Sequence, residues 1–498
     1  MSKTVRCVRS SALGMDDMCV ALLWGIVAWS ALVVSLAGAA PLERSSRLRR
    51  PVAAGLLADG HTLCVANRSA GSLSLVDLAQ GHVQCEIAVG QCLAGLAVLP
   101  DRKHVLVVDE QGHELIALVF EAETLRVCAR LPVGPYPVSV TVTADGTRAT
   151  VAGLWSRRLE VVDLTPLASP AGPAKLRVLH VVGFPFAPRL QCMMAEPAAV
   201  IVADGFGGHL AVVDVAGGRL RAEHEFAGHN LRGLALDASR SQLVLAHQIL
   251  NEHAATTREN IERGVLMANV LQEFPLDQVR TPGAHLEATG RRLPLGTERA
   301  GAGDPAGIAL LDDGEIAVAL AGVNELAILR TKDGTHRRIP VGRRPTAVVA
   351  VPGQGLVVLD TFSDALSVID PRRGTVVRTI PLGPQPELTA KERGELLFFD
   401  ARLGRDGWLS CHSCHSDGHS NGLQADTLGD NTYGTPKRTL TLMNTALTDP
   451  WAWNGEMKYL HDQVHKSLVD TMQTPSLAPE QIDDLVAFLH SLPPPPPA

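Results

Sequence analysis

A repeat of roughly 45 residues occupies most of the chain between Pro51 and Gly383. Seven segments end in a short apolar run closed by glycine, at Gly90, Gly134, Gly183, Gly228, Gly296, Gly342 and Gly383. Successive closing glycines are 44, 49, 45, 68, 46 and 41 residues apart. A recurring period of this length indicates an architecture built from stacked copies of one supersecondary unit.

Each repeat also contains alternating apolar runs and tight-turn signals. Strand-like runs that close on aspartate are "LSLVDL", "LEVVDL", "LAVVDV" and "LSVIDP", with the aspartates at Asp77, Asp163, Asp214 and Asp370. Asp-Gly turns stand at 59–60, 145–146 and 313–314. One unit therefore has room for four short strands joined by tight turns, which is typical of a β-propeller blade.

Seven such units predict a seven-bladed β-propeller over residues 51–383. Stacking blades in a ring buries both faces of each blade and protects its strand edges. An open β-solenoid is the alternative architecture for the same pattern. The units resemble the propeller repeats of the surface-layer, YVTN type, a resemblance that implies architecture and says little about function, because propellers carry many unrelated activities.

The fifth unit is longer than its neighbours, with an insertion that reads from Leu245 to Phe274. Its notable polar residues are His247, His253, Arg258 and Arg263. Two interpretations stay open: an exposed loop with solvated charges, or a surface that meets the C-terminal segment or a substrate. Insertions in repeat proteins usually project from one face of the ring, where binding sites concentrate.

The strand pattern stops after Gly383, and helical signals replace it. A capping box of Thr389 and Glu392 opens one amphipathic helix. Pro479 suits the first turn of a second helix, whose apolar residues fall at helical spacing: Ile482, Leu485, Val486, Leu489 and Leu492. We predict a small all-α domain over residues 384–492 and a proline-rich tail over 493–498. Because each domain closes on its own core, few contacts between them should be obligatory.

Between these helices lies "CHSCH", with Cys411 and Cys414 three residues apart and His415 directly after them. A structural zinc site normally needs four ligands, usually as two pairs, and the chain has no second cysteine pair. A thioredoxin-like dithiol would require a βαβ context. The remaining interpretation is a c-type haem site, with thioethers at Cys411 and Cys414 and His415 as an iron ligand. His412 is then expected to be exposed.

This segment resembles the C-terminal haem domain of the di-haem cytochrome c peroxidases. The matching pieces are "RGELLFFDARLGRDGWLSCHSCHSDG", "TLTLMNTALTDPWAWNGEMKYLHDQV" and "VDTMQTPSLAPEQIDDLVAFLHSL". Two departures stand out. One Cys-x-x-Cys-His is present where the family has two, and Trp453-Asn454-Gly455 replaces the family's aromatic-His-Asp-Gly. The resemblance and the single motif imply a cytochrome c domain with one covalently bound haem c.

The second axial ligand has several candidates after His415, namely Met443, Met457, His461, His465 and Met472. Met472 follows His415 by 57 residues, which lets the chain wrap around a haem and return on its far side. The resemblance points to the same residue, since the family's electron-accepting haem takes its methionine at this place. We predict Met472, with the other candidates and a haem without a second ligand left as alternatives.

The N-terminus carries export signals. Lys3, Arg6 and Arg9 precede an apolar run over residues 18–38, and small residues stand at its end, at 37–39. We predict a cleaved signal peptide or a retained membrane anchor over residues 1–39. Both place the rest of the chain in the periplasm or elsewhere outside the cytoplasm, where covalent haem attachment takes place in bacteria.

A net charge of −7 without a long basic run argues against a nucleic-acid partner. The leading functional hypothesis is one-electron transfer through a haem with histidine and methionine ligands, with a redox partner protein or a small-molecule donor or acceptor. The alternative is a peroxidase-like oxidoreductase that uses the propeller face for a substrate or partner. A non-catalytic binding propeller that carries a redox module is the third hypothesis.

Overall fold

The structure of the protein is a computed structural model that describes residues 46–168, 174–195 and 198–496, apart from the side chain of residue 313. The predicted signal peptide or anchor over residues 1–39 lies outside the described residues. Within the described ranges, no helix combines the length and the apolar character needed to cross a membrane.

Seven four-stranded antiparallel sheets follow one another along the chain, and each is built from four consecutive strands. The strands of the first four sheets are β1 Pro51–Leu56, β2 Thr62–Asn67, β3 Ser72–Asp77, β4 His82–Ala88, β5 Leu93–Val98, β6 His104–Asp109, β7 Glu114–Glu121, β8 Thr124–Pro132, β9 Pro137–Val142, β10 Arg148–Gly153, β11 Arg158–Asp163, β12 Arg177–Gly183, β13 Pro188–Met194, β14 Ala199–Asp204, β15 His209–Asp214 and β16 Arg219–Glu225. The remaining sheets contain β17 His229–Asp237, β18 Gln242–Leu250, β19 Met267–Pro275, β20 Arg291–Pro294, β21 Pro305–Leu310, β22 Glu315–Leu320, β23 Glu325–Arg330, β24 His336–Pro340, β25 Pro345–Val351, β26 Gly355–Asp360, β27 Ala365–Asp370 and β28 Thr375–Pro381. The predicted seven-bladed propeller is confirmed.

The first strand of every blade lies innermost. Each packs against the first strand of the next blade, and β25 packs against β1 to close the ring. Closure is reinforced by hydrogen bonds between the first and last blades: Thr361 Oγ1 donates to the carbonyl of Pro51 at 2.7 Å, and the Asp364 carboxylate accepts from the amides of Arg49 and Arg50. The second strands are almost wholly buried, whereas the innermost strands keep half-exposed residues along the propeller axis.

The repeat signals of the sequence fall at consistent places in the blades. The closing glycines end or follow the fourth strands, and the recurring aspartates end the third strands. Asp77 shows the reason for an aspartate here, because its carboxylate accepts from the amide of Gln80 at 2.8 Å and holds the turn into β4. Gly60 and Gly146 occupy the Asp-Gly turns with φ of 76° and 69°, where a side chain would strain the backbone.

Up-and-down blades place alternate connections on opposite faces of the ring. We call the face that carries the connections between second and third strands the docking face. The single predicted insertion of blade five is two insertions: residues 251–266, with α1 Arg258–Glu262, lie on the docking face. Residues 276–290, with α2 Leu276–Arg280 and α3 Leu286–Thr289, lie between β19 and β20 and hence on the opposite face.

The C-terminal region is helical, as predicted. Its regular elements are α4 Ala390–Phe398, α5 Cys411–Cys414, α6 Leu460–Lys466, a π-helical segment Ser467–Thr471, α7 Pro479–His490 and the short strands β29 Gln424–Ala425 and β30 Lys437–Arg438. Single 3₁₀ turns occur in this region at Ala401–Leu403, Arg405–Gly407, Ser416–Gly418, Leu428–Asp430 and Thr445–Leu447. In the propeller they occur at Thr165–Ala168, Asp312–Gly314 and Thr361–Ser363. The capping box is present, since Glu392 accepts from the amide of Thr389 at 2.7 Å and donates its own amide to the threonine hydroxyl.

Helices α4 and α7 approach so closely at Gly394 that a Cβ there would lie 1.9 Å from the carbonyl oxygen of Asp484. We expect Gly394→Ala to lower the free energy of unfolding by about 1–3 kcal/mol or more, because the two helices must separate. Chemical denaturation followed by circular dichroism measures the change. Gly183→Ala is the matched control, since a Cβ there meets no described heavy atom within 4 Å. Equal stability of the two variants would contradict the close packing.

The helical region shares part of its buried core with blade five, and its contacts with the propeller are more extensive than expected. One buried cluster joins Leu250, Ile261 and Met267 of blade five to Phe398 and Trp408 of the C-terminal region. The 251–266 insertion also pairs with the C-terminal region through the amide of Thr256, which donates to the carbonyl of Asp426 at 2.9 Å. The insertion is therefore a packing surface, as its second interpretation predicted.

Candidate functional site

The Cys-x-x-Cys-His segment forms one helical turn, α5, which begins after Ser410. The amide of Ser410 donates to the hydroxyl of Ser413 at 2.9 Å, and the amide of His415 donates to the carbonyl of Cys411 at 2.9 Å. Residues three apart on a helix share a face, so Cys411 and Cys414 lie on one side of the turn. The residues between them, His412 and Ser413, are turned towards the docking face.

Both thiols of the motif are half-buried and form no disulfide. Burial raises the pKa of the Cys411 and Cys414 thiols to about 12. A reactive dithiol needs the opposite shift, because the thiolate is the nucleophile. The surroundings of the pair are apolar, with Phe398, Leu468 and Leu485 among the buried residues of the cluster that the two cysteines pack against.

His415 has a fixed ring orientation. Its Nδ1 lies 2.8 Å from the carbonyl oxygen of Leu440, and since a carbonyl can only accept, Nδ1 carries the proton. The unprotonated Nε2 keeps its lone pair available for a metal. Burial lowers the pKa of His415 to about 4, so the imidazole is neutral at physiological pH. A neutral histidine held by a carbonyl at its other nitrogen is the usual form of a metal-ligating histidine.

Met472 lies beside the same turn, although it is 61 residues from Cys411 in sequence. Its Sδ is 3.7 Å from the Sγ of Cys411, and the residue is only 4 % exposed. The π-helical segment positions it, because the amide of Met472 donates to the carbonyl of Ser467 at 3.0 Å. Its own carbonyl accepts from the amide of Arg405 at 2.9 Å. The structure therefore brings the predicted thioether to the predicted attachment site.

The other candidate ligands have different surroundings. His461 and His465 are exposed on α6, and His461 points towards carboxylates, with its Nε2 3.8 Å from Asp483. Met457 and Met443 are half-buried in the irregular segment between β30 and α6. Neither of them belongs to the buried cluster that contains Met472.

His412 is buried, not exposed as predicted, with 2 % of its surface accessible. Its Nδ1 accepts from the amide of Asp417 at 3.0 Å, and its ring packs on Phe399 with centroids 4.8 Å apart. Its carbonyl accepts from the side chain of Asn230 at 3.1 Å. The prediction considered only the haem side of the turn, whereas the propeller covers the other side.

A buried polar network on the propeller holds this second side of the turn. Asp304, just before β21, accepts from the hydroxyls of Ser410 and Ser413, the latter at 2.7 Å. Burial raises the pKa of Asp304. Gln248 donates to the hydroxyl of Ser413 at 3.2 Å and to Asn269 at 2.8 Å. Sequence reasoning missed these residues, because blade residues so far from the motif carry no local signal of the contact.

Asp417, two residues after His415, is held by two arginines of the propeller. Its Oδ2 accepts from Arg189 of β13 and, at 3.0 Å, from Arg232 of β17. Although burial raises the pKa of Asp417, the two arginines keep it well below its usual value, so the carboxylate is ionised. Contacts between the C-terminal region and the docking face thus extend from blade four to blade five around the axis.

The donor set fits haem c. Two thiols on one face of a helical turn, a histidine with a free Nε2 and a buried thioether beside the first thiol are the groups that c-type attachment and ligation use. The apolar cluster behind them supplies the low-polarity surroundings that such a group needs.

Comparisons with known proteins agree with this geometry. Residues 390–493 match the model of the di-haem cytochrome c peroxidase family. The methylamine utilization protein MauG of Methylophilus methylotrophus is 34 % identical over 89 residues, which are 17 % of this chain and 25 % of that protein. The cytochrome c551 peroxidase of Pseudomonas aeruginosa is 28 % identical over 125 residues, which are 24 % of this chain and 35 % of that protein. The chain thus spans between a quarter and about a third of these relatives.

Among solved structures, hydrazine synthase of Kuenenia stuttgartiensis is similar with a TM-score of 0.55 and 20 % identity, covering 67 % of this chain and 99 % of that one. At this identity the likeness shows the fold alone. The chain therefore joins a seven-bladed propeller to a C-terminal segment, residues 390–493, that matches the di-haem cytochrome c peroxidase model, and the predicted resemblance of this segment is confirmed. The resemblance of the blades to YVTN repeats stays a prediction.

Proposed function

We propose that the protein is an exported c-type cytochrome that transfers single electrons through one haem c, bound covalently by Cys411 and Cys414 and ligated by His415 and Met472. The observation that carries this proposal is the position of Met472. Its buried Sδ lies 3.7 Å from the Sγ of Cys411, and Cys411 belongs to the same helical turn that presents His415. When bound, the haem supplies a one-electron redox centre whose potential depends on its axial ligands.

The residues around the site are suited to holding such a centre still. Leu440 fixes the His415 ring through its carbonyl, and Ser467 and Arg405 fix the backbone of Met472. Ligands that are held before and after electron transfer keep the rearrangement between the two redox states small. Rigid, buried ligands therefore favour electron transfer over the binding of an added small molecule.

The second candidate function is a peroxidase-like oxidoreductase. It is supported by the match of residues 390–493 to the di-haem cytochrome c peroxidase model and by the similarity to a cytochrome c551 peroxidase. The single Cys-x-x-Cys-His motif favours the first candidate, because the named family is di-haem. Turnover of peroxide with a reduced donor would support the oxidoreductase, and a haem inert to peroxide and carbon monoxide would support the electron carrier.

The partner and the compartment belong to the same proposal. A redox protein or a small-molecule donor or acceptor exchanges electrons with the haem domain. The location is the periplasm or another extracytoplasmic compartment, because thioether attachment and the N-terminal sequence, basic and then apolar, both indicate export. Fractionation of cells that express the full chain tests it, and haem-containing protein in the cytoplasm would contradict it.

Met472→Ala should remove the near-infrared charge-transfer band of the oxidised protein, lower the reduction potential and let the reduced haem bind carbon monoxide. The physical reason is that a thioether ligand raises the potential and its loss opens a coordination position. Absorption spectroscopy and a redox titration measure these changes. Met443→Ala and Met457→Ala are the matched controls and should keep the band. An unchanged spectrum in Met472→Ala would refute the ligand assignment and leave the attachment site untouched.

A further inference from the structure

Two arginines hold Asp417 behind the haem-attachment turn, and two more act on it electrostatically. Arg68 follows β2, Arg189 and Arg232 lie on β13 and β17, and Arg344 precedes β25, so each comes from a different blade. All four guanidinium groups interact electrostatically with Asp417. We call these four residues the axial arginine group. Burial and the neighbouring Arg232 lower the pKa of Arg189 to about 10, which shows how closely like charges are gathered.

Carboxylates form ion pairs with three of these arginines and leave Arg344 without one among the described residues. Asp417 accepts from Arg189 and Arg232, and Glu110 pairs with Arg68. Asp304 acts on Arg344 from farther away and is already shared by two serine hydroxyls. Among the described residues Arg344 has no carboxylate within ion-pair distance, and its guanidinium stacks on the ring of Phe399 at 3.6 Å. The nearby Arg50 and Glu395 form their own ion pair.

The axial arginine group also has unused hydrogen-bond donors. Each guanidinium carries five N–H donors. Nε of Arg189, Nε of Arg232 and Nη1 of Arg344 are buried without a hydrogen-bond partner among the described residues. An uncompensated buried cation with unmade hydrogen bonds is unfavourable, so the group should attract an anion. Asp417 shows that the group binds carboxylate oxygens, because two of these arginines already hold one oxygen of its side chain.

The axial arginine group keeps solvent-accessible surface. Side chains of Arg68, Arg189 and Arg232 keep 40 %, 22 % and 14 % of their surface accessible, although they lie between the propeller and the C-terminal region. The innermost strands are half-exposed along the axis, whereas the second strands are buried. Solvent therefore reaches part of this group, which a small ion needs if it is to bind there.

We propose that the axial arginine group binds a small oxyanion of the carboxylate or phosphate class, behind the haem-attachment turn. Arginine suits such a ligand, because its planar fork donates two parallel hydrogen bonds to a pair of oxygens. The site does not depend on the haem or on electron transfer. Asp417 occupies part of it and competes with the added anion for Arg189 and Arg232.

Isothermal titration of the full-length haem-loaded protein with inorganic phosphate, and separately with acetate, tests the site at constant ionic strength in an oxyanion-free buffer. We expect saturable binding of at least one probe, weakened tenfold or more in Arg189→Gln, Arg232→Gln and Arg344→Gln. Arg126→Gln is the matched control, since Arg126 is 63 % exposed on an outer strand. Its affinity should equal that of the wild type.

Asp417→Asn separates binding from a structural role of the arginines. Removing the competing carboxylate should tighten binding of the added anion severalfold, whereas mere damage to the fold would weaken it. Arg344→Gln decides the case if the other arginine variants misfold, because it leaves the ion pairs of Asp417 in place. The proposal is overturned if neither probe binds saturably, or if Arg344→Gln binds as the wild type does.

Discussion

Replacing both Cys411 and Cys414 by serine should leave the protein without any haem that survives denaturation. A thioether cannot form at a serine hydroxyl, and the attachment turn offers no other thiol, since Cys92 and the other described cysteines lie in the propeller. The loss of covalently bound haem should be complete. Haem-stained denaturing gels of protein matured in the bacterial periplasm measure it, and mass spectrometry of the wild type should show one haem added to the polypeptide.

Single variants and a distant cysteine make the experiment specific. Cys411→Ser and Cys414→Ser should each keep the haem through the remaining thioether, at reduced yield. Cys192→Ser is the matched control, because Cys192 is half-buried on β13 in the propeller, and the variant should retain full haem staining. A wild-type protein that loses its haem on the gel would show that attachment is not covalent. In that case the electron-transfer proposal would need another way to hold the cofactor.

The regular part of this fold could be predicted from sequence because the same strand and turn signals recur in successive blades. Local rules place each recurring element: Asp-Gly at the first turn, aspartate at the end of the third strand, and glycine after the fourth. The capping box at Thr389 is likewise a local signal, and α4 begins directly after it. Signals of this kind depend on a few neighbouring residues, so the rest of the fold does not alter them.

The relation between the two parts of the chain could not be predicted in this way. Asp304 and Ser413 are 109 residues apart, and only the closed ring brings them within 2.7 Å. The 251–266 insertion carries polar residues that read equally well as a solvated loop. Its buried Ile261 and Leu266 find their partners only once the C-terminal region packs on the docking face. His412 was misassigned for the same reason, since burial of one side of α5 comes from residues of the propeller.

The shared core leads to the second large effect. Residues 384–498, exported alone with the haem-maturation machinery, should fail to give a soluble cytochrome with both axial ligands in place. Alone, the fragment would expose Trp408 and other residues that the blade-five insertion buries, and the hydroxyls of Ser410 and Ser413 would lose the carboxylate of Asp304. The apolar surface exposed in this way loses about 25 cal/mol of stabilisation per Å² and favours aggregation of the fragment.

Co-export of residues 46–383 as a separate chain supplies the matched control. If the docking face completes the haem domain, the two chains should co-purify and the absorption spectrum of the full-length protein should return. Asp304→Ala in the propeller chain should weaken this rescue, because Ser410 and Ser413 then have no acceptor, whereas Asp333→Ala, at an exposed turn, should not. A soluble 384–498 fragment with the spectrum of the full-length protein would show that the helical region folds alone. The propeller would then be a platform for the haem domain and not part of its pocket.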